Sequence, residues 1–243
     1  MELDLVEIWH SMNNLVRGVV IVLTLQAVAC ISVVIDRLIL LYVSGKKSRA
    51  FAAEAAMAMS SSDYETVLEI AKKHEGSHLA AFVETGVGTF TRRVGEGHGR
   101  EKAAELAGRA LERKGEKLSE SLNKGMNVLA STGSTAPFIG LLGTVLGILN
   151  AFKLIAEEGS GGMGTIGSAI GEALIVTGYG LMVAIPSVLV FNWLSGRIAR
   201  YESGLANSGS ELLDQIEAGS SARVVNEEEA PRRAAPAAVP TPA

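Results

Sequence analysis

Three long apolar runs, separated by charged stretches with helical periodicity, set the pattern of this chain. The first is about Val16 to Val43, "VRGVVIVLTLQAVACISVVIDRLILLYV"; the second is about Val128 to Ala156, "VLASTGSTAPFIGLLGTVLGILNAFKLIA"; the third is Ile166 to Leu194. A helix needs about 20 mainly apolar residues to cross a bilayer, and each run meets that length. The first follows Glu2, Asp4 and Glu7 with no basic leader and is too long for a signal-peptide core, so it is expected to be a retained helix.

The intervening region reads as helix as well. "SRAFAAEAAMAM" and "DYETVLEIAKKH" alternate apolar and charged residues at helical spacing, with Asp63 as a plausible N-cap. "GEGHG" at Gly95 to Gly99 breaks the pattern. The charged stretch from Arg100 to Lys124 contains no clear stop signal, so it is expected to continue into the second apolar run as one helix. No strand pattern is visible. The fold class is therefore all-α: an integral membrane protein with three transmembrane helices and long helices extending into the cytoplasm.

Basic flanks orient the spans. Arg37, Lys46, Lys47 and Arg49 follow or end the first, Arg197 and Arg200 follow the third, and "EEGSGGMGT" between the second and third has no Lys or Arg. The expected layout is an outer N-terminal segment (1–15), a span (16–43), a cytoplasmic helical region (44–127), a span (128–156), a short outer loop (157–165), a span (166–194), a cytoplasmic helix (195–218) and a disordered Pro- and Ala-rich tail (219–243). The N-terminus is periplasmic and the C-terminus cytoplasmic on this reading.

Composition narrows the chemistry. Of 243 residues 48% are apolar and the formal charge is −4, with no basic segment interleaved with aromatics, so nucleic acid is not an expected partner; the lipid bilayer is. Cys30 is the only cysteine, which precludes an intramolecular disulfide and a thiol-based metal site. His74, His78 and His98 lack ligand-like spacing with Asp, Glu or Cys, so no metal is expected. No nucleophile, base and oxyanion constellation supports an enzyme.

The second and third runs carry unusual residues for lipid. Thr132, Ala136, Gly140 and Thr144 step by four, Gly143, Gly147 and Ala151 continue them, and the third run repeats the device with Ala169, Ala173, Thr177, Gly180 and Ala184. Such stripes let helix backbones approach closely, so both runs are built to face other helices or a narrow space shared among subunits. Pro137 and Pro186 each deprive a carbonyl four residues earlier of its usual donor, giving either ordinary kinks or kinks that shape a cavity. Glu172 is the most costly residue, since a charge at mid-bilayer costs at least about 2.5 kcal/mol. It is either a protonated or paired carboxyl that holds helices together, or a residue bordering a hydrated path. Thr135, Thr144 and Thr177 are the nearby hydroxyls, each able to bond its own backbone or to join such a path.

The segments "TAPFIGLLGTVLGI" (Thr135 to Ile148) and "IGEALIVTGYGLMVAIPSVLVFN" (Ile170 to Asn192) resemble the two signature helices of the MotA/TolQ/ExbB proton-channel family. Three spans with a large cytoplasmic region match its TolQ/ExbB branch. The resemblance implies a bacterial inner-membrane protein forming a homopentameric ring around partner helices, with protons as the transported ion and no cofactor. It implies an ExbD/TolR-like single-span partner carrying a membrane Asp, and a load of TonB/TolA-like or motility type, which covers protein transport, envelope maintenance and gliding motility. On it Thr144, Glu172 and Thr177 fall on the proton pathway, with Thr135 and Tyr179 as further pore-lining positions. Leu146 stands where a bulky aromatic is frequent, and Tyr179 where a small residue is usual. A non-conducting membrane scaffold that assembles partner proteins is the alternative.

Overall fold

A computed structural model describes residues 9–10, 12–158 and 163–229. Among them the chain is all-α, in six helices: α1 (Asn14–Ser60), α2 (Tyr64–Lys73), α3 (His78–Gly95), α4 (Arg100–Asn123), α5 (Met126–Glu158) and α6 (Met163–Glu229). Three contain windows long and apolar enough to cross a membrane: Asn14–Ser60, Met126–Lys153 and Ile166–Ala218. The chain divides into two compact units, Met1–Leu40 with Leu122–Ala199, and Leu41–Ser121 with Arg200–Ala243.

In the first unit, the apolar runs pack on one another through few large residues. Val16, Val19 and Leu23 of α1 meet Ala136 of α5 and Val176, Val183 and Ala184 of α6, with Leu146 and Tyr179 partly buried against them. The opposite faces stay bare: Leu25, Phe138, Leu149, Phe152, Leu174, Met182 and Leu189 are each more than 60% exposed. That inversion of the usual apolar-in rule fits helices whose solvent is lipid.

The helix expected to run unbroken from Arg100 into the second span is interrupted. It ends at Asn123, and α5 starts at Met126 after a turn in which Gly125 takes φ 82°. Two contacts from α1 hold this turn. A Cβ on Gly125 would lie 3.2 Å from the Val33 side chain, and buried Arg37, paired with Asp36, donates to the Leu122 carbonyl at 3.3 Å. Arg37 thereby satisfies one of the last-turn carbonyls that any helix end leaves open.

The second unit closes around Phe51, Val67, Phe82, Val87, Phe90, Leu111, Leu212 and Ile216. Its helix starts are capped by side chains. Asp63 accepts from the Thr66 amide and hydroxyl, which holds its carboxyl below the usual value, and Ser77 accepts from the Ala80 amide. The "GEGHG" break falls between α3 and α4, where Gly97 takes φ 86°. A hydroxyl network ties α1 to α3 and α6 within this unit: Ser44 Oγ lies 2.9 Å from the Tyr201 hydroxyl, and Ser48 Oγ lies 3.1 Å from Ser77 Oγ. His78 stacks edge-on against Tyr201, and burial, then the Lys114 charge, holds its imidazole below the ordinary value. Helix α6 runs to Glu229, through the first part of the segment expected to be disordered; 230–243, and 159–162 of the expected outer loop, lie outside the described residues.

Candidate functional site in the membrane helices

The small-residue stripes of α5 and α6 meet each other. A Cβ placed on Gly140 would come 3.2 Å from Thr177 Cα and 3.3 Å from Gly180 Cα; one on Gly180 would come 2.7 Å from the Ala136 carbonyl oxygen. One on Gly143 would lie 2.5 Å from the Val176 side chain, and one on Gly147 2.6 Å from Ala173 Cβ. Rising numbers on one helix meet falling numbers on the other, so the pair is antiparallel and touches backbone to backbone at Gly140 and Gly180. Pro137 and Pro186 lie inside α5 and α6, and the Gly133 position that faces Pro137's missing donor packs against Val188.

This close approach allows one hydroxyl to cross between helices. Thr177 Oγ1 donates to the Gly140 carbonyl at 2.8 Å. Thr144, 9% exposed, donates within its own helix to the Leu141 carbonyl at 2.6 Å. A threonine hydroxyl has one hydrogen and two acceptor lone pairs. With both hydrogens committed to carbonyls, Thr144 and Thr177 offer acceptors only, which suits a water or hydronium that must donate.

Thr135 and Tyr179 face α1. Thr135 donates to the Ser131 carbonyl at 2.7 Å and accepts from Gln26 Nε2 at 3.3 Å. The Thr24 hydroxyl already donates to the Val20 carbonyl at 2.8 Å, so in its 3.0 Å contact with Tyr179 the phenol is the donor. Tyr179 is thus tied to α1 of its own chain, and Leu146 packs in the same interhelix core.

Glu172 stands apart from these hydroxyls. It is half-buried, accepts from Ser168 Oγ at 3.4 Å, and makes no ion pair among the described residues. Five residues separate it from Thr177, so the two side chains leave the helix about 140° apart. One chain therefore does not gather Thr144, Glu172 and Thr177 into a single cluster. Sequence reasoning passed over other polar contacts in the same unit: Asn13 Nδ2 donates to Asn150 Oδ1 at 2.9 Å, and Ser187 Oγ lies 3.6 Å from Cys30 Sγ. The signal available was the presence of Gln26, Asn150 and Ser187 in otherwise apolar runs.

Residues 75–207, more than half of the chain, match the sequence profile of the MotA/TolQ/ExbB proton channel family. The biopolymer transport protein ExbB of Xanthomonas campestris pv. campestris is 47% identical over 92 residues, which are 38% of this chain and 36% of that protein. ExbB of Salmonella typhimurium is 35% identical over 109 residues, 45% of each chain. ExbB of Neisseria gonorrhoeae is 45% identical over 91 residues, 37% of this chain and 36% of that protein. The chain thus matches less than half the length of each of these relatives.

Proposed function

The chain belongs to the MotA/TolQ/ExbB proton channel family, and on that premise we propose that it is the proton-conducting subunit of an inner-membrane motor complex. In this reading five copies form a ring around partner helices, with the N-terminus periplasmic and the C-terminus cytoplasmic. The work drawn from the proton gradient acts on envelope partners. The partner is an ExbD/TolR-like single-span protein whose membrane Asp is the group that cycles between protonated and free.

One observation carries the reading. Glu172 is the only acidic residue within 128–156 and 166–194, and Thr144 and Thr177 of the same two helices have their hydrogens pinned to carbonyls. A lone carboxyl plus acceptor oxygens stabilises a passing proton but does not form a relay by itself. A carboxylate from another chain completes it.

Relatives are named for biopolymer transport, which favours a TonB-type load over a TolA-type or gliding one. A second reading, a non-conducting scaffold, draws on the Thr177 bond to Gly140, because a hydroxyl that joins two helices of one chain serves packing as well.

The two readings separate in one experiment. Glu172→Ala, Thr144→Ala and Thr177→Val are introduced one at a time, assembly is followed by native mass spectrometry, and gradient-dependent function is measured in cells lacking the native copy. The motor reading expects assembled complexes with strongly reduced function; full activity in all three assembled variants supports the scaffold.

A further inference from the structure

A cavity of about 530 Å³ lies in the second unit, between α4 and the later part of α6. It exists because the residues facing it are small: Gly108, Gly115 and Ser119 on α4, and Ala206, Gly209 and Ser210 on α6. Gly209 cannot be larger, since a Cβ there would lie 2.5 Å from the Phe82 ring. The floor is apolar, formed by Phe82, Leu111, Leu205 and Leu213. Glu112, Glu116 and Glu202 supply its only charged side chains, and no Lys or Arg lines it.

The charges on α4 are sorted in an unusual way. Upstream they neutralise each other: Lys102 and Arg109 both pair with Glu105, at 2.6 and 2.7 Å. From residue 112 onward that pairing stops. Glu112, Arg113, Glu116 and Lys117 are all exposed and make no ion pair among the described residues. The spacing leaves Glu112 four residues from Glu116 and Arg113 four from Lys117, and the opposite-charge neighbours Arg113 and Glu116, three apart, do not close into an ion pair among the described residues. Successive residues are about 100° apart, so the basic pair sits about a quarter-turn round the helix from the acidic pair. One face is a groove with carboxylates at its edge, and the next carries two free cations on long aliphatic stems, which bury along apolar surface while their heads reach a carboxylate.

We propose that this groove is the docking site for a second copy of the chain: Arg113 and Lys117 of one copy seat against Glu112, Glu116 and Glu202 of its neighbour. The contact is head-to-tail, two different surfaces meeting, which is the kind that closes into a ring when the rotation permits. The proposal rests on the homo-oligomer reading above and assigns it a cytoplasmic contact surface.

The test is a charge swap in the full-length protein in lipid nanodiscs, read by native mass spectrometry. Glu112→Lys with Glu116→Lys, and separately Arg113→Glu with Lys117→Glu, each lower the oligomer fraction about tenfold by setting like charges opposite one another. All four changes together restore it, which a folding defect does not do. A second measurement uses the Cys30→Ser background: chains carrying Glu116→Cys cross-link to chains carrying Lys117→Cys, and neither cross-links efficiently to itself. Oligomers that persist in both reversals, or a swap no better than its parents, overturn the groove assignment while leaving the ring intact. Oligomers that persist but lose a single-span partner on Glu112 and Glu116 reversal assign the groove to that partner instead. A monomeric wild type overturns the ring reading and this contact together.

Discussion

Replacing Gly180 by alanine tests the backbone contact on which the α5–α6 pair depends. The added Cβ would stand 2.7 Å from the Ala136 carbonyl oxygen and 3.0 Å from Gly140 Cα. Both are main-chain atoms, so no side chain can swing aside. Ordinary contact begins at 3.4 Å, and reaching it moves the helices apart by about 0.7 Å, as overpacking requires. That shift stretches the 2.8 Å bond from Thr177 to Gly140 to the limit of a hydrogen bond. Overpacking costs about 1–3 kcal/mol, and an interhelical hydrogen bond in a membrane protein contributes about 0.6 kcal/mol. Alanine is the better helix former by about 1 kcal/mol, which offsets part of this loss. Gly178 on the same helix is the control, since a Cβ there meets nothing within 4 Å. Its alanine variant gains the propensity term alone. The two variants should therefore differ by about 1.6–3.6 kcal/mol in reversible unfolding in mixed micelles, followed by far-ultraviolet circular dichroism. A difference below about 0.5 kcal/mol, the scatter of a neutral surface change, refutes the close-approach argument.

Other outcomes follow from single contacts. Tyr179→Phe removes the hydroxyl that donates to Thr24 and should cost about 0.6 kcal/mol in the same unfolding assay. Arg37→Met leaves the Leu122 carbonyl without its charged donor, at a cost of about 1.5–3 kcal/mol, and should speed tryptic cleavage after Lys124 in the turn it holds. His78 carries a pH dependence. Its folded value lies below the ordinary 6.5, so the unfolded chain binds the proton first as pH falls, and this group's contribution to stability is lost below about 6.5. Thermal unfolding between pH 7 and 5 should then be less pH-sensitive in His78→Gln than in the wild type.

The residues that spoke plainly in the sequence are those whose effect is local. Three apolar runs, the Asp63 cap and the "GEGHG" break each depend on neighbours within a few positions: the runs lie in helices long and apolar enough to cross a membrane, Asp63 caps α2, and the break separates α3 from α4. The stop at Asn123 was not legible. A lone glycine in a helical pattern costs only about 1 kcal/mol, so Gly125 does not force a break by itself; Val33 and Arg37, some ninety residues away, stabilise it. The stripes told which faces pack closely but not onto what, and the structure pairs them within one chain. Hydroxyl direction was equally hidden. Thr177 reaches another helix because Gly140 lets it, while Thr144 bonds its own turn, and nothing in the two threonines' immediate sequence separates these outcomes.

The central claim, that this chain forms a proton path completed by a partner's carboxylate, is tested most directly by proton flux. The purified complex with an ExbD/TolR-like partner is reconstituted in liposomes holding a pH-sensitive dye, and a potassium diffusion potential drives inward current. The account predicts valinomycin-dependent acidification that is lost in Glu172→Gln and Thr177→Val complexes of unchanged composition, and lost when the partner's membrane Asp is replaced by Asn. Flux that is absent from the wild-type complex, or that persists unchanged in all three variants, contradicts it.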